Sequence, residues 1–155
     1  MRSVFLIFEE KYKDKVDDFL DHYCDKSQKD PRLVLAYDKT STGVLYVRDY
    51  EPLKPDDPLE LDEIDLKGIF YNRGNFYFED IATIDLLAGL HNPYELTVDI
   101  SGRFDGTAEV LDFVKAFLKE IPAFTLDDYT DHFWTHEEIV NHSKFEDHPF
   151  FDYNG

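Results

Sequence analysis

The sequence predicts an α+β (mixed α/β) fold: a single domain over residues 1–155, with one mixed or antiparallel sheet, two long amphipathic helices packed on one face and a short C-terminal helix. Three observations predict it. Strand-like apolar runs are interrupted by two stripes of helical period. The length of 155 residues is that of one ordinary domain. A composition 43% hydrophobic and 16% aromatic is enough to bury a core without disulfide or metal staples.

The elements follow in order. "SVFLIFEE" is short, apolar and rich in β-branched and aromatic residues, and reads as a buried strand ending near Glu9. From Lys11 to about Asp25, Tyr12, Val16, Phe19, Leu20, Tyr23 and Cys24 recur at helical spacing on one face, and Pro31 marks the end. "RLVLAYD" and "TGVLYVRDY" read as two strands of a hairpin closed by "KTSTG". "KGIFYNRGNFYFED" reads as a tight hairpin turning at Arg73, Gly74 and Asn75, followed by a short helix from about Ile81 to Leu90. "PYELTVDIS" is a strand. Asp105, Gly106 and Thr107 then open a helix with the stripe Val110, Leu111, Val114, Phe117, Leu118 and Ile121, which Pro122 ends. "AFTLDD" is a last strand. Thr135 and Glu138 form a capping-box pattern that starts a terminal helix running towards Asn141.

Thirty-four acids against sixteen bases give a net charge of −18. Such a charge disfavours non-specific contact with nucleic acid or anionic lipid and points to a basic macromolecular partner. Its distribution is uneven. Residues 49–65 and 121–155 each carry eight acids and one base, so each holds −7. The first includes "EPLKPDDPLELDEID", whose three prolines disfavour helix and central strand, so residues 51–65 are expected to form an acidic, Pro-rich surface loop presenting Asp56, Asp57, Glu60 and Asp62. Cys24 is a lone cysteine on a core-facing stripe, which fits a reducing compartment. Only five consecutive apolar residues precede Glu9, too few for a signal peptide, and no run approaches a membrane span, so a cytoplasmic location is expected.

"DHFWTHEEIVNH", Asp131 to His142, gathers three of the six histidines with three carboxylates and the single tryptophan. A zinc-protease helix needs two histidines one turn apart with glutamate between them. Here His136 and His142 are six residues apart, roughly 240° around a helix. His132 lies four before His136, but on the far side of the helix start. A mononuclear site from Asp128, His132 and His136 remains an alternative, as does a plain capped helix start with Glu137 and Glu138 at the positive end of the dipole. No GxSxG elbow, dinucleotide-binding or phosphate-loop glycine pattern occurs. "SGRFDGT" is an anion-binding turn only if Asp105 is tolerated there, and two glycines already explain a turn. Paired carboxylates such as Asp127 and Asp128 arise by chance among so many acids. Neither catalysis, cofactor nor metal is therefore expected.

Large aromatics set among charges are what an interface hot spot looks like. Asp127, Asp128, Tyr129, Asp131, Trp134, Glu137 and Glu138 are accordingly the expected partner-binding residues of the C-terminal segment. The competing reading is that Phe133 and Trp134 staple the last helix to the core, and that the aromatic tail "HPFFDY" docks rather than stays exposed.

With its acidity, its interleaved aromatics and the ending "DDYTDHFWTHEEI", the chain resembles immunity proteins of bacterial polymorphic toxin and contact-dependent growth inhibition systems. The resemblance rests on Asp127 to Ile139 and on overall character. It implies a non-catalytic inhibitor that blocks the active site or substrate-binding surface of a cognate toxin domain, often a basic nuclease. Two other classes stay open: an adaptor for another basic ligand, and a metal-dependent enzyme using the His/Asp-rich C-terminal region.

Overall fold

The computed structural model describes residues 2–23, 42–47, 68–75, 89–101, 105–130 and 132–151. Its first strand, β1 (Arg2–Glu9), is followed by a 3-10 turn (Glu10–Tyr12) and helix α1 (Lys13–Tyr23). Strands β2 (Thr42–Val47), β3 (Gly68–Asn75) and β4 (Pro93–Ile100) come next. Helix α2 (Thr107–Glu120), strand β5 (Phe124–Asp127), helix α3 (His136–Val140) and the small hairpin β6 (Lys144–Phe145) and β7 (His148–Pro149) complete the elements of the described residues.

Among the described residues five strands form one antiparallel sheet in the order β2-β3-β4-β1-β5, a single α+β domain with helices α1 and α2 on the same face. Because β4 and β5 both run antiparallel to β1 and flank it, they are parallel to each other, and α2 crosses over β1 to connect them. This position explains the sequence of β1. Val4, Leu6 and Phe8 face the helices, while Ile7 packs behind the sheet with Phe5, Phe124, Leu126 and Phe133. A strand covered on both sides reads as a continuous apolar run. β4 alternates instead: Leu96, Val98 and Ile100 are buried among the helices, whereas Glu95, Thr97 and Asp99 are only half-buried on the other face.

The helices meet over the sheet through aromatic rings. Phe19 of α1 lies 5.4 Å from Phe117 and 5.5 Å from Phe113 of α2, and Phe8 of β1 lies 6.4 Å from Phe117. The stripe of α2 differs from the expected one at three positions. Phe113 is fully buried, and Leu111 and Leu118 pack only partly, so the buried line runs Val110, Phe113, Val114, Phe117.

One expected turn is absent. Arg73, Gly74 and Asn75 do not close a hairpin but continue β3, pairing with Leu96, Glu95 and Tyr94 of β4. Arg73 faces the helices and pairs with Asp17 of α1, while Gly74 is exposed with open space around it, so neither residue needs a turn. In contrast, β6 and β7 form a hairpin that the sequence does not announce. Its two loop residues, Glu146 and Asp147, have φ of 51° and 69°, the backbone of a type I′ loop without the usual Asn-Gly.

The expected strand at 32–38 with its hairpin, Cys24, the 51–65 loop and nearly all of the 81–90 helix lie outside the described residues. Among the described residues no helix is long and apolar enough to cross a membrane.

Candidate interaction surface

The C-terminal surface is built on one buried carboxylate. Asp127 ends β5 opposite Val4 and is 6% exposed. Its Oδ1 accepts from the amides of Tyr129 and Thr130, both at 3.2 Å, and from the Thr130 hydroxyl at 3.4 Å. Its Oδ2 accepts from the Phe151 amide at 3.1 Å. These contacts wind the chain into a turn whose tip is Asp128-Tyr129 and tie the C-terminal tail beneath it. Phe151 has φ of 56°, uncommon for an aromatic residue, and is held there by this hydrogen bond, by complete burial and by the Arg2 guanidinium 5.3 Å from its ring centroid.

Asp128 extends from that turn to the N-terminal strand, accepting from the Ser3 amide at 2.5 Å, while the Ser3 hydroxyl donates to Asp99 of β4. Three carboxylates from β4, β5 and the turn thus converge on the start of β1. Asp128 is exposed as a residue, but its carboxyl lies partly against the sheet end. That partial burial raises its pKa above the ordinary carboxylate value, with the Asp99 and Asp127 charges adding to it and the Ser3 amide opposing. Arg2 is the neighbouring base: it donates to the Thr107 hydroxyl at 2.8 Å and lies 3.7 Å from Asp105. Tyr129 stands out from the turn, 50% exposed. Its phenol is raised by what burial it has and by Asp128 and Asp127, against the lowering effect of Arg2.

Beyond the turn the chain returns alongside β5. The Trp134 amide donates to the Thr125 carbonyl at 2.8 Å, and the alternation of this strand-like pair sends Phe133 to the back of the sheet and Trp134 into the helix-side core. The capping box then forms as the sequence predicts: the Glu138 amide donates to Thr135 Oγ1 at 3.1 Å, and the Thr135 amide to Glu138 Oε1 at 3.1 Å. The other oxygen of Glu138 is 2.9 Å from His132 Nε2. Burial would raise the Glu138 pKa, but the His132 contact and the Thr135 amide outweigh it and hold it below the usual value. The His132 ring stacks on Phe145 at 4.4 Å and meets Trp134 edge-on at 4.8 Å.

This geometry divides the expected partner-binding residues. Asp128, Tyr129 and Glu137 are exposed. Trp134, 2% exposed, and Asp127 are interior, and this corrects the expectation that they meet a partner directly: the tryptophan fills the core beside Phe150, and the aspartate satisfies four donors. Glu138 is half-buried with both oxygens engaged. Asp131, Asp56, Asp57, Glu60 and Asp62 lie outside the described residues. His132 is tied to Glu138 and Phe145 while His136 is exposed, and among the described residues no three His, Cys, Asp or Glu side chains are grouped to hold a metal. Arg2, Ser3 and Asp99 belong to the surface but carry no sequence signal. Only the register, which sets Ser3 opposite Asp99 and Val4 opposite Asp127, brings them there.

No protein-family model, curated protein or solved structure matches the chain.

Proposed function

We propose that the chain is a non-catalytic, acidic binding protein that neutralises a basic protein partner, and specifically an immunity protein acting in the cytoplasm on a cognate toxin domain of the nuclease type. The observation that carries this reading is Tyr129: a half-exposed aromatic beside the exposed Asp128, on a turn held by a buried carboxylate. A rigidly mounted tyrosine gives contact area at low entropic cost, and the carboxylate beside it pairs with a base of the partner. The net charge of −18 supplies long-range attraction, raising association above the ~10⁵ to 10⁶ M⁻¹s⁻¹ of neutral pairs, and carboxylates are suited to occupying phosphate-binding positions on a nuclease.

Co-expression tests this reading. The C-terminal domain of the protein encoded immediately upstream is produced in bacteria alone, with this chain, or with its Tyr129→Ala, Asp128→Lys variant. Arrest by the domain alone, growth with the wild-type chain and arrest with the variant support the proposal. Growth arrest with the wild-type chain, or a domain that arrests nothing, overturns it.

A further inference from the structure

Toward the other edge of the sheet, where α1 finishes and α2 begins, a hollow of about 290 Å³ opens between the helices and the β2-β3 edge. Tyr23, Tyr46 and Phe113 supply rings to its wall, Leu45 and Ile69 apolar surface, and Glu109 and Asp112 carboxylates. Both acids are exposed and lie three apart on α2, hence on one face of it. Among the described residues no lysine, arginine or histidine lines the hollow. Two other hollows in this layer carry their own bases: Lys15 and His22 between the helices, and Lys13 and Arg73 near Tyr94.

The wall is held firmly. Tyr23, the last residue of α1, stacks on Phe19 at 5.4 Å and meets Phe113 edge-on at 5.1 Å, yet remains 40% exposed. Its phenol is raised by burial and then by the Asp112 charge, so the ring and the carboxylate act on the same small volume. Aromatic rings, an apolar floor and two carboxylates with no base beside them among the described residues are the complement of one ligand chemistry. A cation on an alkyl stem places its methylenes on the floor and its charge between ring faces and carboxylates.

We propose that this hollow receives one long basic side chain, an arginine or lysine, from the protein partner. The proposal rests on the preceding reading for the source of the cation, a protein rather than a free small molecule, and adds a contact separate from Tyr129, which does not line the hollow.

Residue-resolved aromatic NMR of the full chain tests it, with a capped Gly-Arg-Gly peptide, its citrulline counterpart of the same shape without charge, and methylguanidinium as probes. Saturable shifts of Tyr23, Tyr46 and Phe113 with the arginine peptide are expected, at least tenfold weaker with citrulline and weaker with methylguanidinium. The Glu109→Gln, Asp112→Asn variant, altered only at exposed positions, should lose at least fivefold in affinity for the arginine peptide. Equal response to citrulline, or no shift at the three rings, overturns the proposal, and methylguanidinium binding as tightly as the peptide overturns a protein source. Shifts confined to Tyr129 also overturn the hollow while leaving the basic-partner reading intact.

Discussion

Tyr23 and Tyr129 are both exposed tyrosines next to aspartates, but they are mounted differently. Tyr23 ends a helix, its ring wedged against Phe19 and Phe113, and forms the wall of a concavity. Tyr129 rides on a turn whose backbone is fixed by hydrogen bonding of its own amide and that of Thr130 to Asp127. The first mount is made of apolar contacts distributed over two helices and survives the loss of any one polar group. The second draws on the Asp127 carboxylate, which also holds the packed tail. A cavity suits a side chain that enters it; a projecting ring suits a pocket on the partner.

The largest expected effect separates these mounts through Trp134. Replacing it with alanine should cost about 4 kcal/mol of stability in denaturant unfolding, because a fully buried indole is lost from the core. Tyr23 should keep its ring contacts in the variant under native conditions. A loss below about 1 kcal/mol would mean that the indole is not the anchor of the C-terminal segment. Asp127→Ala comes next, at about 3 kcal/mol, since the amides of Tyr129, Thr130 and Phe151 lose their acceptor together. Hydrogen exchange should accelerate at those three amides and not in α1.

Smaller changes sharpen the contrast. Glu146→Asn with Asp147→Gly relieves two positive φ angles in the hairpin that carries Phe145, and should stabilise the protein by about 1 kcal/mol, read as a raised unfolding midpoint. Asp128→Asn should raise the thermal midpoint slightly at pH 7. The folded pKa of Asp128 is raised, so the ionised carboxylate opposes folding above that value. The gain of the variant should therefore disappear as pH falls through the folded pKa towards the ordinary carboxylate range. A variant advantage that persists below that range would assign the effect to something other than charge.

Helices α1 and α2, strands β4 and β5 and the capping box were legible because each depends on neighbours a few residues apart: a stripe, an alternation, a Thr-x-x-Glu pair. Arg73-Gly74-Asn75 has the composition of a turn, and only the contact of Arg73 with Asp17 and its pairing with β4 make it strand. The β6-β7 hairpin was illegible because Glu-Asp is not a residue pair that favours positive φ. At the candidate surface the aromatic-acidic composition singled out a segment but did not sort its members into exposed and buried. Trp134 and Tyr129 look alike as sequence, and what divides them is the alternation set by the bridge of Thr125 to Trp134. The hollow at Tyr23 gave no signal, since its residues come from α1, β2, β3 and α2.

The most direct measurement of the central claim is the dissociation rate of the Tyr129→Ala variant from the proposed partner, the toxin domain encoded upstream, compared with wild type at two salt concentrations. The account predicts dissociation about thirtyfold faster, equivalent to ~2 kcal/mol, with association rate and its salt dependence retained and folding stability changed by less than about 0.5 kcal/mol. Dissociation at the wild-type rate would contradict it, and would leave the Asp128-Tyr129 turn as a surface feature outside the interface.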